Sequence, residues 1–132
     1  MKNILLCLLC LLVVTVPCLM AGPSPAEGFI FGEWKDGAVG SDNLTTAEIN
    51  LGMDYDKCNL DVPTMASANL TILISRYSGG TYKQLGVSAV TIPASTGNFF
   101  TTIDLGGYQY LKIVSSDNQS IGLTFSVRGY GY

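Results

Sequence analysis

Histidine is absent from this sequence, so the side chains left to do chemistry are carboxylates and aromatic rings. The lack of imidazole excludes Ser-His-Asp and Cys-His catalysis and removes the ligand that most catalytic zinc sites use. A pair of carboxylates could still hydrolyse a glycosidic bond if two of them faced each other. Nothing in their spacing fixes such a pair, and we therefore predict no catalytic residue and a protein that is not an enzyme. The carboxylates available are Glu33, Asp36, Glu48, Asp54, Asp56, Asp61 and Asp104.

The densest acidic stretch, DYDKCNLD, predicts a candidate metal site. Asp54, Asp56 and Asp61 could supply oxygen ligands to a calcium ion from a loop. The stretch departs from the EF-hand pattern, because Asn59 stands where the turn glycine belongs and no glutamate closes the loop. We favour an acidic loop that is simply solvated over a calcium site, because a site for a hard cation needs several convergent oxygens, and we expect no other cofactor.

Exposed aromatic rings are the candidates for binding, because they can stack on a sugar face or anchor a protein interface. The alternative is that they fill the core or pair across strands. Two tyrosines stand in the final RGYGY, where burial is harder, and we expect residues 129–132 to form an intermolecular contact that the fold does not need. The candidate ligand or interface residues are Trp34, Tyr77, Tyr82, Tyr108, Tyr130 and Tyr132.

The composition is typical of a folded domain with a substantial core. Of the 132 residues, 48% are hydrophobic and 13% are charged. The seven lysines and arginines are scattered singly, and the formal net charge is -3. Because a phosphate backbone requires a basic patch, we do not expect nucleic acid as a partner.

Residues 1–28 have the order of an export segment. Lys2 precedes an uncharged apolar stretch from Ile4 to Met20, and the small-residue run AGPSPAEG follows. This order predicts a cleaved signal peptide. The alternative is an uncleaved membrane anchor with a short proline-containing linker, because about 17 apolar residues reach the lower limit for crossing a bilayer. The protein would then be exported or membrane-tethered, with membrane contact only through this segment.

Cysteine usage depends on that segment. Cys7, Cys10 and Cys18 lie within it, which leaves Cys58 as the only thiol of residues 29–132. An internal disulfide is then excluded. We expect Cys58 to be buried as a small apolar side chain, and the alternative is a disulfide between chains.

From Phe29 onward, short runs of β-branched and aromatic residues recur between turn signals, and no sustained stretch has apolar residues at helical spacing. We predict an antiparallel, jelly-roll-like β-sandwich of about eight strands over residues 29–132. The candidate strands are residues 29–34, 45–51, 59–62, 69–77, 81–87, 89–92, 99–105, 108–115 and 121–129.

Alternation and glycine pairs indicate how these strands face and connect. Leu70, Ile72 and Ile74 share one side of their strand, which we predict to face the core. Gly79-Gly80 is predicted to turn the chain and not to cradle a phosphate, because neither a helix-like segment nor a P-loop lysine follows it. Gly106-Gly107 is predicted to close another connection, and Asp36-Gly37 to end the first strand.

Several short motifs occur in a fixed order along residues 46–129. They are Leu51-Gly52, Leu60 with Pro63, LTILIS at residues 70–75, and LKIVSS at residues 111–116 with Gln119. In this order they resemble small β-sandwich virion structural proteins of tailed phages. The resemblance implies a non-enzymatic component that decorates a capsid or belongs to a fibre. Because a virion assembled in the cytoplasm needs no export signal, either the chain is an exported relative of these proteins or residues 1–28 are not an export segment.

We therefore expect a non-catalytic structural or binding module whose partner is a protein surface or a glycan. The unpaired edge strands of an open sandwich favour a homo-oligomer. The alternatives are a secreted carbohydrate-binding domain, which requires coplanar exposed rings, and a carboxylate-based glycoside hydrolase. The protein would be extracellular, membrane-tethered or part of a virion.

Overall fold

The computed structural model describes residues 28–87, 91–94 and 96–132. These residues form β-strands and no α-helix, which confirms the predicted all-β fold, and none of their segments is a helix that could span a membrane. The predicted signal peptide or anchor, residues 1–28, lies outside this part of the chain except for Gly28. The strands are β1 (Ile30–Phe31), β2 (Lys35–Val39), β3 (Ile49–Val62), β4 (Asn69–Ser75), β5 (Lys83–Gln84), β6 (Thr91–Pro93), β7 (Phe99–Ser115) and β8 (Leu123–Gly131).

Every strand pair is antiparallel, as predicted, and the hydrogen bonding is continuous through a single sheet. The strand order is β1-β8-β3-β7-β4-β5, with β2 also beside β8 and β6 also beside β4. β8 therefore lies between β3 on one side and β1 and β2 on the other. In place of two separate sheets, the long strands β3 and β7 join both ends of the fold.

Both long strands are interrupted by glycines with a positive φ, near the start of β3 and at the middle of β7. Gly52 in β3 has φ 93°, and Gly106 and Gly107 in β7 have φ 67° and 82°. This left-handed conformation is open to glycine because it has no Cβ. The pairing of β3 with β7 shifts register in the same region, between Asn50 and Tyr55 and again before Lys57.

The interruptions divide the sheet into two parts, which we name the β8 half and the β4 half. In the β8 half, residues 57–61 of β3 pair with β8, and residues 55–62 of β3 pair with residues 99–108 of β7. In the β4 half, residues 110–115 of β7 pair with β4, and the chain around Thr45 and Ile49 pairs with the other edge of β7. A Cβ on Gly37 of β2 would meet the side chains of Thr46 and Ile49, so the two halves pack against each other.

Alternating residues from both halves form one hydrophobic core. Leu70, Ile72 and Ile74 of β4 are buried as predicted, and Leu123, Phe125 and Val127 of β8 are buried with them. Burying one such side chain contributes roughly 1.5–3 kcal/mol to folding. The lysine-bearing face of β7 points outward, because Lys112 is only half-buried while its neighbours on either side are buried.

Cys58 of β3 is buried at 1% exposure and forms no disulfide, which confirms the predicted burial. Its apolar surroundings disfavour the thiolate and raise the pKa of the thiol to about 12. The thiol therefore acts as a small core side chain and is a poor nucleophile near neutral pH.

Two of the three glycine-containing pairs that we predict to end or connect strands lie inside strands. Gly106-Gly107 does not close a connection, because it lies inside β7, and the predicted strands 99–105 and 108–115 are one strand. Likewise, Asp36-Gly37 lies inside β2 and does not end a strand; Gly37 is required there because the Ile49 side chain occupies the space of a Cβ. The prediction for Gly79-Gly80 is confirmed, since Gly79 has φ 66° and the Gly80 N–H donates to the Tyr77 carbonyl at 3.1 Å.

Gly97 allows a test of how much the positive-φ glycines contribute to stability, because it combines a φ of 72° with close contact to Pro63. A Cβ there would overlap the Pro63 carbonyl group, whereas a Cβ on Gly106 would meet open space. We expect Gly97→Ala to lower the free energy of unfolding by about 2–4 kcal/mol and Gly106→Ala by about 1–2 kcal/mol, since only the first adds overlap to strain. Urea unfolding followed by tryptophan fluorescence measures both, and equal losses would contradict the packing of residues 94–98 against residues 62–65.

Candidate functional site

A group of exposed rings lies on the β8 half, and we name it the aromatic surface. β1 brings Phe29 and Phe31 beside the end of β8, because Phe31 is the register partner of Tyr130. Apolar side chains of this size are normally scattered singly on a protein surface, so a cluster of them is a candidate interaction site. Its members are Phe29, Phe31, Trp34, Phe100, Tyr130 and Tyr132.

The rings of this surface contact one another but remain accessible. The centroids of Phe29 and Tyr132 are 4.2 Å apart, and those of Phe31 and Tyr130 are 5.8 Å apart. Most members are well exposed, with Phe31 at 54% and Tyr132 at 79%. Edge and offset contacts of this kind hold the rings in place before any partner arrives.

Arg128 of β8 joins the two ends of the aromatic surface. The carbon at the centre of its guanidinium group lies 4.8 Å from the ring centroid of Phe31 and 4.8 Å from that of Trp34. Its Nε is buried without a hydrogen-bond partner, and no salt bridge of the described residues includes Arg128. The positive charge is therefore held between aromatic faces, beside a shallow depression that Asn59, Phe100 and Thr102 help to line.

The chain's last residues, for which we predict an intermolecular contact, are part of the sheet. Tyr132 is exposed, but Tyr130 is half-buried, and residues 129–131 belong to β8, where they pair with β1 and β3. A Cβ on Gly129 would overlap the ring of the buried Tyr55. Removing residues 129–132 would therefore take away paired backbone, which argues against the expectation that the fold does not need them.

A second constellation, which we name the Glu48 clamp, lies at the β4 half. Thr46 holds this part of the chain against β7, because its hydroxyl accepts from the Ile113 N–H at 3.1 Å. The carboxylate of Glu48 then accepts three hydrogen bonds of 2.7 Å, from the Ser78 hydroxyl, the Gly79 N–H and the Tyr82 hydroxyl. These bonds tie the loop between β4 and β5 to a residue about 30 positions away.

The three hydrogen bonds change the acidity of the groups in the clamp. They lower the pKa of Glu48 below its ordinary value of 4.5, with the Ser78 bond as the largest cause and the Lys112 charge as a smaller one. Burial and the bond to Glu48 raise the pKa of Tyr82. The Lys112 ammonium also lies 4.5 Å from the centre of the Tyr82 ring. The clamp is therefore ionised, and its tyrosine is a hydrogen-bond donor, at neutral pH.

Beside this clamp, β4, β5 and the loop between them enclose a cleft of about 670 Å³, which we name the loop cleft. Ile74 and Leu85 give it apolar surface, and Tyr77 and Tyr108 give it aromatic surface. Arg76 and Lys83 bring two positive charges, and no carboxylate of the described residues lines it. The six predicted aromatic candidates are thus divided: Trp34, Tyr130 and Tyr132 lie on the aromatic surface, and Tyr77, Tyr82 and Tyr108 lie at the cleft or the clamp.

The predicted calcium site is not assembled. Within residues 28–87, 91–94 and 96–132, no three acidic or cysteine side chains lie close enough to hold a metal ion. The predicted acidic loop is part of β3, and an extended strand separates Asp56 from Asp61 by about 16 Å. Asp54 is farther still from Asp61, so the three carboxylates cannot converge on one ion without breaking the strand.

Four of the carboxylates considered for hydrolysis each bind a different partner. Glu33 pairs with Lys35 at 2.9 Å, and Asp104 pairs with Lys57 at 3.1 Å. Asp36 accepts from the Ser126 hydroxyl at 2.6 Å, and Glu48 belongs to the clamp. These contacts give each carboxylate a structural role.

No family model matches the chain, and no curated protein matches it significantly. Among solved structures it is similar to a chain of the cyanophage Pam1 capsid asymmetric unit, at 16% identity and a TM-score of 0.32. The match covers 84% of this chain and 89% of that chain.

The Glu48 clamp should loosen in acid. Because its pKa is lowered on folding, the stabilisation is fully present above the ordinary carboxyl value of 4.5 and is lost as the pH falls through the lowered value. We expect the Gly79 amide proton resonance to titrate with a midpoint below pH 4.5 in an NMR pH series. The same resonance should show no such titration in Glu48→Gln, and a midpoint at or above 4.5 in the unmodified protein would contradict the clamp.

Proposed function

We propose that this chain is a non-catalytic structural protein of a virion and that it assembles with further copies of itself through the aromatic surface. The observation that carries the proposal is the arginine held between two exposed aromatic rings, at 4.8 Å from each. Tryptophan, tyrosine and arginine dominate the binding energy of protein interfaces, especially where their neighbours exclude water. The aromatic surface combines all three residue types in one contiguous patch.

An adjoining sheet edge supports a second copy of the chain as the occupant. β1 ends the strand order, and the described strands pair with only one of its sides, through β8. Its other side offers unpaired backbone groups to a partner strand. Glu33 and Lys35 follow on the same stretch of chain, two positions apart. In a two-fold pairing centred on Trp34, Glu33 of one copy would face Lys35 of the other, so the edge is complementary to itself.

The sequence resemblance over residues 46–129 supports the virion as the location. A protein that decorates a capsid or builds a fibre repeats the same contact many times, and a rigid sheet with a pre-formed aromatic patch suits that task. The buried Cys58 and the carboxylates bound to separate partners favour a role without chemistry. The competing location is the cell exterior or the membrane, which the chain would reach by export through residues 1–28.

The alternative of a carbohydrate platform on the aromatic surface is less well supported. The planes of its contacting rings are inclined to one another by 30° to 56°. A flat sugar face stacks best on coplanar rings, whereas inclined rings interlock with the side chains of a protein partner.

Self-association should depend on the aromatic surface. We expect Tyr132→Ala and Arg128→Gln each to weaken association at least tenfold, because the first removes exposed ring area and the second the charge between Phe31 and Trp34. Sedimentation velocity over a concentration series measures the change. Tyr77→Ala is the matched control, since that tyrosine is 73% exposed but lies at the loop cleft.

Circular dichroism and urea unfolding of the same variants separate lost contact from lost fold. A monomeric protein at every concentration, or equal effects of Tyr132→Ala and Tyr77→Ala, would overturn the assembly proposal.

The location has a separate test. We expect mass spectrometry of particles purified from the phage that encodes this chain to detect peptides of residues 29–132 in fixed proportion to the other virion proteins. Recovery only from the host envelope or the culture medium, outside particles, would overturn the virion proposal and favour an exported protein.

A further inference from the structure

We propose that the loop cleft is a binding site for an acidic sugar, with the ring of the sugar on Tyr77 and its carboxylate between Arg76 and Lys83. The cleft lies on the β4 half, apart from the aromatic surface, so this inference stands or falls independently of the assembly proposal.

The size and lining of the cleft suit a small ligand. Its volume of about 670 Å³ lies within the roughly 300–1,000 Å³ of small-molecule sites. Ile74 is buried and Leu85 is half-buried, so the base of the cleft is apolar, whereas Tyr77 is 73% exposed and offers the face of its ring. An apolar base with a few polar groups around it is the usual composition of such sites.

The charge of the cleft specifies an anion. Arg76 and Lys83 both line it, and neither forms a salt bridge among the described residues. Glu48 does not line the cleft, and its carboxylate is oriented toward Ser78, Gly79 and Tyr82 by three hydrogen bonds. The protein as a whole has a net charge of -3. The two unpaired cations therefore make this cleft a local region of positive potential that attracts a carboxylate.

The Glu48 clamp holds the cleft in shape before a ligand binds. It fixes Ser78, Gly79 and Tyr82, which belong to the loop that carries Tyr77 and Thr81. At the other end, the Leu85 N–H donates to the Ile72 carbonyl at 3.1 Å and holds the chain after β5 to β4. A loop that is already ordered loses less conformational entropy when a ligand binds. The two cations and the tyrosine can therefore contact the same ligand at a lower entropic cost.

A sugar fits the polar groups better than a bare anion or a peptide. The cleft is also lined by groups that both donate and accept hydrogen bonds, namely Thr81, Gln84 and the tyrosine hydroxyls. These groups can bind several hydroxyls of a sugar, whereas inorganic phosphate is too small to contact all of them. The exposed ring of Tyr77 offers an area for the apolar face of a pyranose. An acidic peptide would supply the charge but not the cluster of hydroxyls.

The test is a glycan array that carries uronic-acid and sialic-acid oligosaccharides beside their neutral, carboxyl-reduced counterparts, probed with the labelled full-length chain. We expect binding to acidic members only, and isothermal titration on the best of them should show a Kd that rises with salt. Arg76→Gln, Lys83→Gln and Tyr77→Ala should each weaken binding roughly five- to tenfold. Lys57→Gln is the matched control, because it removes an equal charge at the β8 half, where Lys57 pairs with Asp104, and it should leave Kd unchanged.

Inorganic phosphate and a tetraglutamate peptide are the competing ligands in the titration. Equal affinity for either one would overturn the assignment to a sugar, as would equal binding of acidic and carboxyl-reduced glycans. Absence of binding to every acidic glycan on the array would overturn the proposal, and so would an effect of Lys57→Gln as large as that of Arg76→Gln.

Discussion

The left-handed glycines in β3 and β7 are the constraint on which the fold depends. They let two strands of 14 and 17 residues take part in both halves of the sheet, so that one hydrophobic core is enclosed without a break in the hydrogen bonding. A side chain at Gly52 or Gly106 would disfavour that backbone conformation by roughly 1–2 kcal/mol. The separation of the aromatic surface from the loop cleft follows from the same geometry, because each lies on the strands of a different half.

The two surfaces differ in how they are held and in what they offer. The aromatic surface is formed by paired strand ends, where Phe31 meets Tyr130, and its one cation is enclosed by rings. The loop cleft is formed by a connection, and a single carboxylate on a distant part of the chain determines its shape. The first therefore suits a broad contact that is repeated, and the second suits a small ligand with charge.

Local patterns predicted most of the fold but little of the candidate sites. Alternation placed Leu70 and Ile72 in the core correctly, because a period of two depends only on neighbouring residues. Gly106 misled the prediction, since a positive φ serves a hairpin and a strand bend equally well. Glu48 and Arg128 gave no sequence signal, because their partners lie about 30 and 95 residues away and are brought near only by tertiary packing.

The position of β8 inside the sheet has a consequence for synthesis of the protein. Residues 123–131 fill the space between β3 and the strands β1 and β2, although those strands emerge from the ribosome far earlier. Until β8 is made, β2 has no strand to pair with among the described residues, and one edge of β3 stays open. The nascent chain must therefore keep an unsatisfied backbone edge soluble for most of its translation, which makes this interval the point at which a chaperone would matter most.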